Sequence, residues 1–182
     1  MNPRIACLLL LFSLASCATD ALKNHPLVSV DGVVITEADK AGVIAREEAD
    51  IRSKYHSDPK KRDQLLAEMN STLFSRLINQ QLMVGEFHRL KGILKPPYVV
   101  ADRESFIQRN FQGDHAAFQA YLAQRGISMQ QFVASQERMI IATVMWYRIA
   151  GGADTAKLRR ERNEKKLKEL HQQADIRTLG SW

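Results

Sequence analysis

The longest run of helical hydrophobic periodicity in the chain covers residues 65–93. On an ideal α-helix the apolar positions fall on two adjacent stripes. The first stripe holds Leu66, Met69, Leu73, Leu77, Val84 and Phe87, and the second holds Phe74, Ile78 and Leu82. The narrow polar strip holds Glu68, Ser75, Asn79 and Glu86. So wide an apolar face predicts a central helix that neighbours contact on two or three sides.

The pattern before this segment predicts a β-hairpin and a helix. Residues 27–35 are rich in β-branched side chains and contain Asp31-Gly32, a favoured two-residue hairpin turn. Thr36 and Asp39 are spaced as a capping box that opens a helix to about Tyr55. Its predicted apolar face holds Ala41, Ile44, Ile51 and Tyr55. Asp58-Pro59 then predicts the start of the central helix.

The central helix is predicted to end at Gly92, in a Schellman motif with the glycine left-handed and Ile93 folded back onto Phe87. Lys95-Pro96-Pro97 predicts an extended connector. Two short helices follow, capped by Asp102 and Asp114. The first bears Phe106, Ile107 and Phe111 and ends near Gly113, and the second bears Phe118, Tyr121 and Leu122 and ends at Gly126-Ile127.

Ser128 and Gln131 form a second capping-box pattern, which predicts a helix to about Ile149. This helix has two apolar stripes, so it is the expected main partner of the central helix. One stripe holds Phe132, Met139, Thr143 and Trp146, and the other holds Val133, Ile140, Val144 and Tyr147.

After Gly151-Gly152, residues 154–174 predict a highly charged helix with a thin apolar spine of Leu158, Leu167, Leu170 and Ala174. Residues 175–179 alternate as a strand does, and we expect this strand to pair with the hairpin because each otherwise lacks a partner. The predicted fold is mainly α, with five to six helices packed around the long central helix. A small β-sheet joins the N-terminal hairpin to the C-terminal strand.

The first residues resemble an export signal. A basic start to Arg4 precedes an apolar core at residues 5–14, too short to span a bilayer. Leu14-Ala15-Ser16-Cys17 resembles the lipobox of bacterial lipoproteins, in which the cysteine is lipidated before cleavage. We therefore expect a signal peptide at residues 1–16, lipidation of Cys17 and a tether at residues 17–26. The alternative is an ordinary secretory leader with an incidental cysteine.

Cys7 would leave with the leader and Cys17 would carry lipid, so the mature chain would hold no free thiol and no disulfide. Composition is that of one domain with an appendage, at 182 residues, 45% hydrophobic and 25% charged. The net charge of +6 favours acidic partners or anionic lipid surfaces. Ala18, in place of an aspartate after the lipidated cysteine, favours the outer membrane.

The residues give no pattern typical of an enzyme. The five histidines have no metal-ligand spacing, and GxSxG, Walker A and GxGxxG motifs are all missing. We therefore expect no catalysis, cofactor or metal, with a site assembled only in space as the alternative.

Binding surfaces are predicted in two places. Methionine adapts to varied apolar shapes, and the candidate client-binding residues are Met129, Phe132, Met139, Trp146 and Tyr147. The alternative is that the methionines fill gaps in the core.

Residues 157–168 hold seven Lys or Arg, suited to acidic clients or lipid headgroups. The alternative is a solvent-exposed helix with no binding role, stabilised by charge pairs such as Glu161–Lys165 and Glu164–Lys168. Nucleic acid is not an expected partner, because no aromatic residues are interleaved with these charges.

Three stretches, in order, resemble the N-terminal domain of SurA-like periplasmic chaperones and related foldases. They are VSVDGVVITEAD, LFSRLINQQLMVGEFHRLKGI and DRESFIQRNFQGDHAAFQAYLAQRGISMQQFVASQERMIIATVM. Together they imply a chaperone domain at residues 27–149. In that family a parvulin prolyl-isomerase domain usually follows the last helix. Here AGGADT leads straight into the stretch RRERNEKKLKELHQQADIRTL, which is similar to the family's C-terminal helix and strand.

The resemblance therefore implies a chaperone module completed by residues 150–182, from which the isomerase domain is absent; residual isomerase activity is a further alternative. The expected function is an ATP-independent holdase on the periplasmic face of the outer membrane, which binds unfolded outer-membrane or exported proteins. The alternative is a non-catalytic assembly subunit that docks one folded partner of an envelope secretion or export machine.

Overall fold

Side-chain caps set where most of the helices begin. The computed structural model describes residues 25–180. Five helices start after a residue whose side chain accepts a hydrogen bond from a backbone N–H three positions later, and both predicted capping boxes are present. These helices are α1 (Glu37–Lys54), α2 (Pro59–Arg89), α4 (His115–Gln124), α5 (Met129–Ala150) and α6 (Ala156–Gln173).

The remaining helix, α3 (Pro96–Phe111), begins earlier than the sequence predicted. Pro96 and Pro97 occupy its first turn instead of extending the connector, because the first turn needs no backbone N–H and suits the fixed φ of proline. Asp102 consequently lies inside α3 and does not cap a helix, so that prediction was wrong.

The end of α2 is a Schellman motif placed one residue earlier than expected. Lys91, with φ of 55°, takes the left-handed position predicted for Gly92. The N–H of Gly92 donates to the carbonyl of Phe87 and that of Lys91 to the carbonyl of His88, both at 2.9 Å. A Cβ atom on Gly92 would lie 2.5 Å from the Phe87 ring, which explains the glycine. Ile93 is 84% exposed and does not fold back onto Phe87.

The three strands β1 (Pro26–Val30), β2 (Val33–Thr36) and β3 (Ile176–Thr178) form one antiparallel sheet in the order β2-β1-β3. Asp31 and Gly32 both have positive φ, as the tight turn between β1 and β2 requires. Ser29 lies opposite Arg177, so the predicted pairing of the C-terminal strand with the hairpin is confirmed.

Within residues 25–180, the buried apolar side chains form two clusters. In the larger one, α2 packs against the sheet, α5 and α6, and this confirms the predicted central helix and its main partner. In the smaller one, the rings of Phe106, Phe118 and Phe132 meet with centroids 5.1–5.9 Å apart, between α3, α4 and α5. The mainly α fold with a small sheet is therefore as predicted.

Helix α1 buries a different face from the one predicted. Ala41, Ile44, Ile51 and Tyr55 are only half-buried. The buried face carries mostly small side chains, namely Ala38, Gly42, Val43, Ala45, Arg46 and Ala49. A Cβ atom on Gly42 would lie 2.8 Å from the side chain of Ser135, so α1 and α5 approach closely at this point.

Glu86 was predicted on the polar strip of α2, yet it is only 5% exposed. Arg89 donates to both carboxylate oxygens, at 2.6 and 2.7 Å, and Lys166 of α6 lies 3.0 Å away. The hydrogen bonds from Arg89, helped by Lys166 and opposed by burial, lower the pKa of Glu86 to about 2. The buried carboxylate therefore joins α2 to α6.

Candidate binding groove

An apolar groove of about 350 Å³ lies between the first turns of α3 and the middle of α5. Its lining residues are Leu94, Tyr98, Asp102, Ile140, Thr143 and Val144. Tyr98 and Val144 are 63% and 45% exposed, so large apolar side chains face solvent here. Concave and mostly apolar surfaces with a few polar groups are typical of binding sites.

The helical repeat explains how the sequence builds this groove. Tyr98 and Asp102 are four residues apart on α3 and so share one face. On α5, Ile140, Thr143 and Val144 follow the same rule, and Tyr147 extends their stripe by a further turn. The early start of α3 at Pro96 is what makes Tyr98 part of this face.

Asp102 is the one charged side chain among the groove-lining residues, and buried donors fix its position. Gln136 donates from Nε2 to Oδ2 at 2.6 Å, and Nη2 of Arg46 lies 2.8 Å from the same oxygen. Gln136 is fully buried and Arg46 is 5% exposed. Gln136 also donates to the carbonyl of Val99 at 3.0 Å. The network therefore ties α1, α3 and α5 together behind the groove.

Arg46 contacts both Asp102, behind the groove, and a ring of the aromatic cluster. Its guanidinium carbon lies 5.1 Å from the centroid of the Phe106 ring, a cation–π geometry. The packing of α1 against the aromatic cluster thus also places the donor that holds Asp102.

The structure places the predicted client-binding residues in different surroundings. Tyr147 is 74% exposed and lies on the stripe that lines the groove. Met139 is half-buried, Trp146 packs against the large core cluster and Met129 packs against the aromatic cluster. Phe132 is fully buried, so it offers no surface to a client, and its proposed contact is corrected to a core role. The lipidation candidate, Cys17, lies outside the described residues.

Sequence reasoning missed the α3 side of the groove. Leu94 and Tyr98 lie in a segment predicted to be extended, so neither residue was assigned to a helix face. Two prolines after a lysine were the available signal, since proline is common at the first helical positions. On α5, Ile140 and Val144 were recognised as a second apolar stripe but not as binding residues.

Two other depressions of the surface are lined mainly by polar and charged residues. One lies between α1 and α3, and the second lies beside the end of α3, where His115 Nε2 is 3.1 Å from Glu104. Within residues 25–180, no group of three or more His, Cys, Asp or Glu is placed to hold a metal ion. In the same residues no helix is both long and apolar enough to cross a bilayer.

A comparison with protein families finds a match over residues 4–145 to the SurA-like N-terminal domain. No curated protein and no solved structure matches the chain.

Proposed function

The chain belongs to the SurA-like N-terminal domain family, and from this premise we propose that it holds unfolded envelope proteins in the periplasm without ATP. The family is of a periplasmic chaperone type. Its expected ligands are unfolded periplasmic or envelope proteins. We propose outer-membrane proteins as the main clients of this chain, bound without any catalytic step.

The groove between α3 and α5 is the observation that supports this proposal. Its lining is mostly apolar and open to solvent, so an extended chain can lay apolar side chains in it. Burial of apolar surface has no preferred direction and tolerates many sequences. One buried large side chain contributes roughly 1.5–3 kcal/mol, which suits weak and reversible holding.

We further propose that Cys17 carries a lipid that anchors the protein to the periplasmic face of the outer membrane. The described residues begin at His25, beside β1, whereas the groove is built by α3 and α5. A tether joined to the domain beside β1 is attached to neither of the two helices that form the groove.

Light scattering tests the holdase. An unfolded outer-membrane porin is diluted into buffer with the mature chain, in which Cys17→Ser prevents lipidation. We expect suppression of aggregation at near-stoichiometric amounts. Val144→Asp, which places a charge in the groove, should weaken that suppression, since burying an unpaired charge is costly.

Val100→Asp is the matched control. Val100 is 46% exposed, against 45% for Val144, and lies on α3 but outside the groove lining. Equal loss in both variants would argue against the groove. If the wild-type chain fails to suppress aggregation and one folded envelope protein co-purifies with it, the assembly-subunit alternative is supported.

A further inference from the structure

We propose that the groove selects extended segments that place a tyrosine in it, with the tyrosine hydroxyl donating to Asp102. This inference rests on the proposed function, because it names the segment that the same groove would hold. It follows from the position and the hydrogen bonds of one carboxylate.

The Asp102 carboxylate is fixed before any client arrives. Arg46 and Gln136 both reach it, and both are nine-tenths or more buried, so neither can swing away without breaking the packing of α1 or α5. A polar group held in this way has little entropy left to lose when it binds a ligand.

Asp102 keeps capacity to accept a further hydrogen bond. Its Oδ2 receives Gln136 at 2.6 Å and Arg46 at 2.8 Å, whereas Oδ1 receives only a longer contact from Arg46, at 3.1 Å. A carboxylate offers about four acceptor positions. Its side chain is 30% exposed, so the group is partly accessible from the groove that it lines.

The charge of Asp102 is already compensated by Arg46, so the groove offers an acceptor more than a negative field. A neutral donor on an apolar body therefore fits better than a lysine ammonium, which would lose hydration among Leu94, Ile140 and Val144. Tyrosine combines an apolar ring with one hydroxyl donor. Phenylalanine would fill the same space but leave the acceptor without the added bond.

Peptide binding to the mature chain tests this selection. Three short, fluorescently labelled peptides with valines around one central position differ only there, carrying Tyr, Phe or Lys. We expect the Tyr peptide to bind about tenfold more tightly than the Phe peptide, the ratio that one hydrogen bond to a charged acceptor supplies. The Lys peptide should bind more weakly than either.

Asp102→Asn should shrink the ratio between the Tyr and Phe peptides towards one. Asp154→Asn removes the same charge at an exposed site outside the groove and should leave the ratio unchanged. Circular dichroism checks that both variants are folded. The wild-type comparison of Tyr with Phe stands by itself if Asp102→Asn does not fold.

Equal binding of the Tyr and Phe peptides, or tightest binding of the Lys peptide, overturns this inference and leaves the holdase proposal in place. If none of the three peptides binds, the groove is not a client site, and the inference is overturned together with the groove-based proposal.

Discussion

Glu86 shows how a charged residue is accommodated inside this fold. It lies in α2 facing α6, and three nitrogen contacts from Arg89 and Lys166 replace the water that burial removes. The pKa of Glu86 is about 2 in the folded protein, whereas its ordinary value is 4.5. The carboxylate therefore binds protons more weakly in the folded state. Ionised Glu86 therefore stabilises the fold.

The pH dependence of stability checks this role. A depressed pKa gives stability that is fully present above about pH 4.5 and is lost as pH falls towards 2. Glu86→Gln should lower the free energy of unfolding by about 2–3 kcal/mol at pH 7 and by less near pH 3. Urea unfolding at several pH values measures both quantities.

Glu161→Gln is the control for this experiment. Glu161 pairs with Lys157 only at 3.9 Å on the exposed side of α6, so its loss should change stability by less than about 0.5 kcal/mol. If the stability of Glu86→Gln falls with pH in parallel with wild type, Glu86 does not carry the acid sensitivity.

Residues whose partners lie close in sequence were predictable, and those with distant partners were not. The caps at Thr36, Asp58 and Ser128 bond to the third residue after them, so the local pattern was sufficient. Arg46 finds Asp102 56 positions away. Such a pairing depends on the tertiary fold, and no local pattern around either residue predicts it.

At the scale of elements, small residues allow α1 and α5 to pack closely. A Cβ atom added to Gly42 would lie 2.8 Å from both the Cβ and the Oγ of Ser135, too close for a methyl group. This close approach also brings Arg46 of α1 within reach of the residues behind the groove. The geometry of one glycine thus supports the position of Asp102.

Gly42→Ala should destabilise the protein by about 1–3 kcal/mol, because overpacking at a fixed helix contact outweighs the helix propensity that alanine adds. Gly85→Ala is its matched control in α2, where an added Cβ would meet nothing within 4 Å. It should stabilise the fold by about 0.5–1 kcal/mol. Thermal unfolding compares the two, and stabilisation by both substitutions would contradict a tight contact at Gly42.

The elements themselves were largely predictable from periodicity, caps and the hairpin turn. The error at the start of α3 arose because one sequence signal has two possible interpretations. Pro96-Pro97 can extend a chain or open a helix, and packing of α3 against α1 and α5 decided for the helix. Half of the groove was missed for this reason, since it depends on the face that α3 presents.

At the scale of the whole molecule, the C-terminal elements complete the core. Leu170 of α6 is 9% exposed within the large cluster, and Leu167 packs beside it. Arg162 donates to the carbonyls of Ala150 and Gly151 at the end of α5. Asp31 and Asp175 exchange hydrogen bonds of 2.8 and 2.9 Å. Arg162 thus joins α6 to the preceding helix, whereas Leu170 and Asp175 join the C-terminal elements to parts of the chain that lie far away in sequence.

Leu170→Ala should therefore lower the free energy of unfolding by about 2–4 kcal/mol, the usual range for truncating a buried leucine to alanine. Leu158→Ala, on the same helix but 37% exposed, should cost less than about 1 kcal/mol. Hydrogen exchange at the Asp31 amide, which donates to Asp175, should become faster in Leu170→Ala alone. Unchanged exchange at Asp31 in that variant would show that the sheet does not depend on α6.

The order of the sheet also bears on how the protein reaches its fold. β1 lies between its sequence neighbour β2 and the C-terminal strand β3. Just before β3, the N–H of Asp175 donates to the side chain of Asp31 in the hairpin turn, and these two residues are 144 positions apart. Closing so long a loop is entropically costly and slow compared with forming the hairpin. The edge of β1 that pairs with β3 therefore stays open until nearly all of the described chain is available to fold. Until then, the open edge of β1 can pair with a strand of another chain.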